Sequence, residues 1–173
     1  MRISVVAGNP KAGSRTLGLA QALADAIAEP GDEITTIDLA EHVAEIFAWP
    51  SVHMAELNDT VAASDLVIFA SPTYKATYTG LLKSFLDRYP TLGLKDVCAI
   101  PLMMGADNGH SMAPEVNLRP LLVELGALVP TRGFYLETPL MERAHEVVGA
   151  WVEANAVGLR QIRAASGFKA GAI

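Results

Sequence analysis

Several residue types that define whole classes of protein are scarce in this sequence. A single cysteine, Cys98, excludes an internal disulfide framework and a four-thiolate metal site. Its apolar neighbours predict a small buried side chain. The four histidines show no HExxH spacing and no accompanying carboxylate cluster, so we predict no metal site. These histidines are His42, His53, His110 and His145.

Charge and long apolar runs are also limited. Charged residues make up 18% of the 173 residues, the net charge is −6, and no basic run is interleaved with aromatic residues. Nucleic-acid binding is therefore not expected. No apolar run approaches the ~18 residues of a membrane span, and the first residues lack the pattern of a signal peptide. We expect a cytoplasmic protein that acts on small molecules and does not bind membranes.

Short β-branched runs alternate with longer stretches of helical periodicity. The runs predict strands in residues 3–7, 34–39, 65–70, 96–103 and 128–136, and helices in residues 19–27, 55–63, 82–89, 118–125 and from 144 onwards. Strands separated by helices predict a parallel sheet with right-handed crossovers and helices on both faces. Five such units fit a flavodoxin-like, doubly wound α/β fold with strand order 2-1-3-4-5. We assign residues 1–163 to this single domain and residues 164–173 to a flexible C-terminal tail.

The loop of residues 8–16 joins the first strand to the first helix. Free backbone N–H groups and the positive end of the helix dipole make this position suitable for an anion. The loop also carries three neutral donors and two cations, which suit a dianionic phosphate. These side chains are Asn9, Lys11, Ser14, Arg15 and Thr16.

Three kinds of nucleotide site can be compared with this loop. Gly8 and Gly13 have the spacing of a Walker A motif, but Ser14 stands where that motif needs lysine. A dinucleotide-binding Rossmann loop needs a second glycine where this chain has Pro10. A cradle for one terminal phosphate needs only small and hydroxyl-bearing residues at a helix start, which the loop has. A loop that only caps the helix through Ser14 is the remaining alternative, and it would not need two cations.

Two further loops follow the third and fourth predicted strands. Residues 71–80 contain two tyrosines, a lysine and several hydroxyls, which suit a flat heteroaromatic ring. The same tyrosines would also suit a surface loop packed on the neighbouring helix, and the sequence leaves both possibilities open. Residues 105–110 contain two glycines that permit close approach of the backbone to a ligand. We interpret His110 as a hydrogen-bonding surface residue, and the absence of a G-x-S-x-G elbow disfavours a serine hydrolase.

Together these segments resemble the NAD(P)H-dependent FMN reductase family, especially the branch that serves two-component alkanesulfonate monooxygenases. Residues 8–16 are similar to the phosphate loop of that family. Residues 71–87 are similar to its flavin-ring loop and following helix, and this is the most specific match. Residues 105–110 and 118–120 resemble its third loop and interface helix. Some relatives carry an inserted aromatic residue in the fourth helix, and this chain has Val116 at the corresponding position.

The resemblance implies a set of residues that bind FMN. The phosphate would be held by Asn9, Lys11, Ser14, Arg15 and Thr16. The edge of the isoalloxazine ring would be lined by Pro72, Thr73, Tyr74 and Lys75. The facing loop would contribute Gly105, Ala106 and Asp107. No residue is assigned a catalytic role, because hydride transfer from the nicotinamide of NAD(P)H to flavin N5 requires no protein acid.

The resemblance also implies partners. Reduced flavin would be supplied to a partner monooxygenase, and the chain would form homodimers or homotetramers through the helices after the third and fourth strands. Apolar surface for that contact would come from Leu82, Phe85, Leu86, Leu118, Leu121, Leu122 and Leu125. One alternative is an NAD(P)H reductase that holds FMN tightly and reduces quinones, azo dyes or metal ions. Another is a non-enzymatic flavodoxin-like electron carrier, which would present a strongly acidic docking face.

Overall fold

A five-stranded parallel sheet forms the centre of the computed structural model, which describes residues 1–170. The strand order is β2-β1-β3-β4-β5, as the sequence predicted. β3 and β4 are buried along their whole length because helices cover both faces of the sheet. The strands are β1 (Arg2–Ala7), β2 (Glu33–Asp38), β3 (Leu66–Pro72), β4 (Cys98–Gly105) and β5 (Phe134–Glu137).

Six α-helices within residues 1–170 pack around the sheet. They are α1 (Arg15–Ile27), α2 (Val52–Ala62), α3 (Gly80–Leu86), α4 (Arg119–Glu124), α5 (Ala144–Ala154) and α6 (Ala156–Ala170). Apolar residues of α1 and α5 pack on one face of the sheet, and those of α2, α3 and α4 pack on the other. The result is the doubly wound arrangement that the alternation of strands and helices predicted. Within residues 1–170, no helix is both long and apolar enough to cross a membrane.

The strand order creates a crevice at one edge of the sheet. After β1 the chain crosses outward to β2, and then returns past β1 to form β3 on its other side. Ala7 at the end of β1 is in register with Ala70, and Pro72 is in register with Met104. The loops after β1, β3 and β4 therefore meet at the same edge. Ligands of open α/β sheets bind at this kind of topological switch point.

The fifth strand is shorter than predicted. β5 begins at Phe134, and Leu128 forms only an isolated bridge with Cys98. Pro130 has no N–H to donate to a neighbouring strand. Arg119 also binds the carbonyl oxygens on either side of this proline, at Val129 (2.7 Å) and Thr131 (2.5 Å). Pairing with β4 resumes only at Phe134.

The last predicted helix is interrupted once. Asn155 separates α5 from α6, and its side-chain carbonyl accepts a hydrogen bond from the Arg132 N–H at 2.8 Å. The amide thereby ties this helix break to the segment before β5. The predicted flexible tail began at residue 164, whereas α6 continues as helix to Ala170. The rest of that tail, residues 171–173, lies outside the described residues, and its flexibility stays a prediction.

The helix after β4 begins with one π-helical turn, Pro114–Leu118, which continues into α4. Periodicity did not predict this wider turn.

The side chains predicted to form an oligomer interface also need correction, because five of the seven are fully buried within this chain: Leu82, Phe85, Leu86, Leu118 and Leu122. They belong to the core between the sheet and its helices. An apolar stripe at helical spacing indicated burial correctly, but it did not indicate which surface covers the stripe.

An ion pair joins α6 to the turn before β2 and gives a prediction about acid stability. The Asp32 side chain is 5% exposed and accepts a hydrogen bond from Arg163 at 2.8 Å. That bond holds the pKa of Asp32 well below its ordinary value of 3.8. A lowered carboxyl pKa stabilises the fold above the ordinary value, and this stabilisation is lost as the pH falls. Asp32→Asn should reduce the free energy of unfolding by roughly 2 kcal/mol near pH 7 and by progressively less below about pH 4.

Urea denaturation of both proteins across this pH range measures the difference. Asp87→Asn is the control, because Asp87 forms an exposed ion pair with Lys83 and should contribute less than about 0.5 kcal/mol. A difference between wild type and Asp32→Asn that does not change with pH would contradict the assignment.

Candidate functional site

A cavity of about 570 Å³ opens at the carboxyl ends of β1, β3 and β4. Its volume lies within the range of small-molecule binding sites. Ten of the twelve predicted site residues line it: Asn9, Lys11, Ser14, Arg15, Thr16, Pro72, Thr73, Tyr74, Gly105 and Ala106. Lys75 and Asp107 do not line it. Four lining residues were not predicted: Gly13, Met104, Thr138 and Pro139.

The start of α1 provides unpaired backbone donors at this cavity. Ser14 is the N-cap residue, and its Oγ accepts a hydrogen bond from the Leu17 N–H at 3.2 Å. The N–H groups of Arg15 and Thr16 have no carbonyl one turn earlier within the helix. They point out of the helix start together with the positive end of its dipole. The helix start can therefore bind an anion.

Two hydroxyl groups add to these donors. The Ser14 hydroxyl uses its oxygen to cap the helix, so its hydrogen is available for a ligand. The Thr16 hydroxyl is in the same situation, because its oxygen accepts a hydrogen bond from the Asn9 side-chain amide at 3.2 Å. Helix capping by Ser14 and anion binding were alternatives in the sequence. The geometry allows both at once.

The cations of the loop are not neutralised by the protein. Lys11 and Arg15 are exposed, and neither forms an ion pair within the part of the chain that the structure describes. The nearby Asp38 carboxylate instead accepts a hydrogen bond from the Gly13 N–H at 2.9 Å. Gly13 has a φ of +61°, which a glycine adopts at little cost. Asp38 thus shapes the loop and leaves both cations free for a ligand.

Hydrogen bonds connect the three loops around the cavity. The Thr79 hydroxyl at the start of α3 donates to the Gly8 carbonyl at 2.5 Å, which joins the first loop to the second. The Thr73 N–H donates to the Met104 carbonyl at 2.6 Å, which joins the second loop to the end of β4. The loops therefore form one connected wall.

The second loop carries two groups suited to a flat polar ligand. The Tyr74 ring lines the cavity and is 52% exposed, so a ligand could cover it. Thr73 Oγ1 is buried and makes no hydrogen bond of good geometry with the described residues, although the Tyr135 hydroxyl is close to it. A buried hydroxyl without a partner is unfavourable unless a ligand or water satisfies it.

The third loop lies against a tyrosine that the sequence analysis did not identify. The Tyr135 hydroxyl, on β5, donates to the Asp107 carbonyl at 2.6 Å. A Cβ atom on Gly105 would lie 1.9 Å from this hydroxyl, so a larger residue here would force the tyrosine or the strand end to move. Burial, together with the carboxylates of Asp107 and Glu137, raises the pKa of Tyr135. The tyrosine therefore stays protonated and can keep donating this bond.

The remaining polar groups of the third loop do not face the cavity. The Asp107 carboxylate accepts a hydrogen bond from the Gly109 N–H at 2.8 Å, and this bond shapes the turn of residues 108–110. His110, at the end of that turn, is exposed and does not line the cavity. Among the described residues, no three histidine, cysteine or carboxylate side chains come together in an arrangement that could hold a metal ion.

The loop after β5 contributes the unpredicted residues Thr138 and Pro139. The sequence did contain a signal for them, because Thr138-Pro139 comes shortly after the apolar run of residues 134–136, much as Ser71-Pro72 comes after the apolar run of residues 66–70. Because β5 is parallel to the other strands, its carboxyl end reaches the same edge of the sheet. A loop after any strand of a parallel sheet is a candidate for the site.

The fold and this cavity define a flavodoxin-like α/β protein with a loop suited to an anion at its switch point. The chain belongs to the NADPH-dependent FMN reductase family, a family of oxidoreductases whose model matches residues 1–138. This membership confirms the resemblance seen in the sequence. A Pseudomonas aeruginosa FMN reductase (NADPH) is 32% identical over 143 residues, covering 78% of this chain and 75% of that protein. The NADH-dependent FMN reductase SfnF of Pseudomonas putida is 29% identical, covering 88% and 86%.

Solved structures agree with this assignment. An apo crystal structure of the NADH:FMN oxidoreductase EMOB superposes with a TM-score of 0.74 at 27% identity and covers 89% of both chains. An oxidoreductase from Corynebacterium diphtheriae superposes with a TM-score of 0.78 at 23% identity, covering 93% of this chain and 95% of that one. This second similarity supports the fold alone.

Proposed function

We propose that the protein reduces FMN with NAD(P)H in the cavity at the ends of β1, β3 and β4. One observation carries the proposal: a loop that can bind a terminal phosphate and a wall of small residues that suits a flat ring open into the same cavity. In that site FMN supplies the redox chemistry, namely acceptance of a hydride from NAD(P)H. The residues of the chain bind and orient it.

The phosphate end of the proposed site is the start of α1. The Arg15 and Thr16 N–H groups and the Ser14 and Thr16 hydroxyls are donors for phosphate oxygens. Lys11 and Arg15 provide positive charge, since no carboxylate pairs with them in the described residues. Five side chains are assigned to this end: Asn9, Lys11, Ser14, Arg15 and Thr16. Of these, Asn9 acts by holding Thr16 in place.

The ring end of the proposed site lies between the second and third loops. Thr73 Oγ1 can bond a polar edge, and Tyr74 offers a flat apolar surface. Gly105 and Ala106 allow the backbone to approach closely. Lys75 and Asp107 lie next to this lining, and we keep them as outer residues of the site. No side chain is required as a proton donor in this arrangement.

Anaerobic stopped-flow mixing tests the proposal directly. Protein, FMN and NADPH or NADH should bleach the visible flavin absorbance far faster than the same mixture without protein. Comparison of the two nucleotides gives the preference between them. Bleaching no faster than in the protein-free mixture would contradict the proposal.

A second candidate function keeps the site but changes the electron acceptor. An FMN-dependent NADPH-azoreductase of Staphylococcus saprophyticus is 27% identical to this chain over 144 residues. If FMN stays bound between turnovers, an azo dye, quinone or metal ion becomes the acceptor. If FMN exchanges, reduced flavin passes to a partner monooxygenase. The colour of the purified protein separates the two cases, because a tightly bound flavin makes it yellow.

We also propose that the chain forms a homodimer or homotetramer through the helices after β3 and β4. Since the leucines of those helices are largely buried, the contact would use exposed apolar side chains in the same part of the chain. Met112, Val116 and Val123 are 60%, 58% and 54% exposed. Light scattering on the purified protein measures the assembly.

A further inference from the structure

The second loop contains a tight turn with an unusual backbone. Lys75 and Ala76 have φ values of 52° and 68°. The flanking residues exchange hydrogen bonds, from the Tyr74 N–H to the Thr77 carbonyl at 2.9 Å and in the reverse direction at 3.2 Å. A two-residue hairpin with two positive φ values is a type I′ turn, for which Asn-Gly is the favoured sequence. Here both positions carry a Cβ atom, which disfavours the left-handed conformation.

A side chain distant in the sequence holds this turn. Asn117 Nδ2 donates a hydrogen bond to the Ala76 carbonyl at 2.8 Å. A backbone conformation that is locally unfavourable persists only when its surroundings hold it. This hydrogen bond joins one of the two left-handed residues to a different element of the fold.

The element that carries Asn117 is itself fixed. Asn117 lies in the π-helical turn Pro114–Leu118. In the same turn, Glu115 accepts hydrogen bonds from Arg119 and from the Gly133 N–H. The Arg119 guanidinium lowers the pKa of Glu115, so the carboxylate stays charged. The turn that carries the Asn117 amide is therefore held in place by the hydrogen bonds of Glu115.

The turn, in contrast, directly follows the ring end of the cavity. Thr73 and Tyr74 line the cavity, whereas Ala76 and Asn117 do not. Any change at Asn117 thus reaches the ligand only through the hairpin. The geometry points to Asn117 as a positioning residue, and the identity of the ligand it serves rests on the proposed function. Its amide holds the Lys75–Ala76 turn in the left-handed form and so keeps Thr73 and Tyr74 in place for the flavin ring.

Amide hydrogen exchange on the ligand-free protein tests whether Asn117 holds the Lys75–Ala76 turn. Asn117→Leu keeps the approximate shape of the side chain and removes the donor. The Tyr74 and Thr77 N–H groups should exchange about threefold to tenfold faster, the effect of one lost hydrogen bond. The Thr79 N–H, bonded to Ser71 Oγ at 2.9 Å, should keep its rate. Unchanged exchange at Tyr74 and Thr77 would overturn the proposal.

Binding of two flavins tests whether the turn keeps the ring end of the site in place. Asn117→Leu should weaken FMN and riboflavin by the same factor, about threefold to tenfold, because the population of the competent hairpin falls and the phosphate loop is unaffected. Val157→Leu, an exposed change on α6 that leaves the Asn117 amide in place, should bind both flavins as the wild type does. A loss confined to FMN, or no loss for either flavin, would overturn the positioning role.

A rescue experiment separates this role from general damage to the fold. Glycine adopts positive φ without a Cβ penalty, so Ala76→Gly should restore most of the flavin affinity in the Asn117→Leu background. Failure of the rescue would show that Asn117 acts other than through the turn. If the wild-type protein binds neither flavin, the proposed function fails and the positioning role fails with it. The exchange measurement still reports separately whether Asn117 holds the turn.

Discussion

Replacing Lys11 and Arg15 together by alanine should weaken FMN binding about 100-fold. Each charge-assisted contact to a phosphate is worth about 1.5 kcal/mol at such exposed positions, and about 1.4 kcal/mol changes a dissociation constant tenfold. The structure supports this magnitude because neither cation is paired with a carboxylate in residues 1–170. Quenching of flavin fluorescence by the ligand-free protein measures the affinity.

Riboflavin and salt make this test specific. Riboflavin lacks the phosphate, so its affinity should be the same in the double variant and the wild type. Higher salt should weaken FMN binding to the wild type and have little effect on the variant, because salt screens the charges that the variant has lost.

A matched control removes two positive charges at other positions. Lys95 lies before β4, at the opposite end of the sheet, and Arg160 lies on α6. Both are exposed. Lys95→Ala combined with Arg160→Ala should leave FMN affinity unchanged. Unaltered FMN binding in the Lys11 and Arg15 double variant would mean that the phosphate binds elsewhere.

The sheet and the position of the loop of residues 8–16 at the cavity could be predicted because their signals are local. Continuous apolar runs mark strands buried on both faces, and their alternation with helices indicates a parallel sheet with right-handed crossovers. Five such units fit the flavodoxin-like order 2-1-3-4-5. Ser14 and the small residues around it mark a helix start. For that reason all five side chains predicted in the loop of residues 8–16 line the cavity.

The features that sequence analysis missed depend on contacts between distant segments. Tyr135 is 30 residues from Gly105 in the numbering, and only the parallel pairing of β4 and β5 brings its hydroxyl below that glycine. The irregular segment before β5 also involves a distant residue, because Arg119 binds the carbonyl oxygens of Val129 and Thr131. The π-helical turn before α4 has no signature in apolar periodicity. None of these can be read from residue spacing within one element.

The leucines assigned to an oligomer interface illustrate the same limit. Leu82, Phe85 and Leu86 recur at helical spacing, which indicates one apolar face of a helix. An apolar face can cover the sheet of its own chain or a second copy, and periodicity is the same in both cases. Here the sheet is the partner, since all three side chains are fully buried within the chain.

Gly105→Ala should destabilise the protein by roughly 2 kcal/mol and weaken flavin binding at least about tenfold. The added Cβ would lie 1.9 Å from the Tyr135 hydroxyl and 2.9 Å from its ring carbon Cζ. Such an overlap forces the strand end or the tyrosine to move, and overpacking of a filled site costs about 1–3 kcal/mol. Because Gly105 lines the cavity, either movement alters the ring end of the site.

The tyrosine provides an internal check on this explanation. Tyr135→Phe removes the atom with the shortest contact and also the hydrogen bond to the Asp107 carbonyl, which should cost about 1 kcal/mol. If the hydroxyl causes the overlap, the double variant should be more stable than the sum of the single effects by about 1 kcal/mol. Tyr135→Phe should relieve the overlap only in part, since the 2.9 Å contact with Cζ remains.

Gly149→Ala is the matched control for the same added methyl group. Gly149 lies inside α5, and its Cβ would have no heavy atom within 4 Å apart from its own residue, its chain neighbours and the backbone of its helix. Alanine favours helix over glycine, so this variant should be more stable by about 0.5–1 kcal/mol and should bind flavin as the wild type does. Thermal denaturation and flavin titration of the four variants measure both quantities. Strictly additive effects of Gly105→Ala and Tyr135→Phe would show that the third loop is not shaped by contact with this hydroxyl.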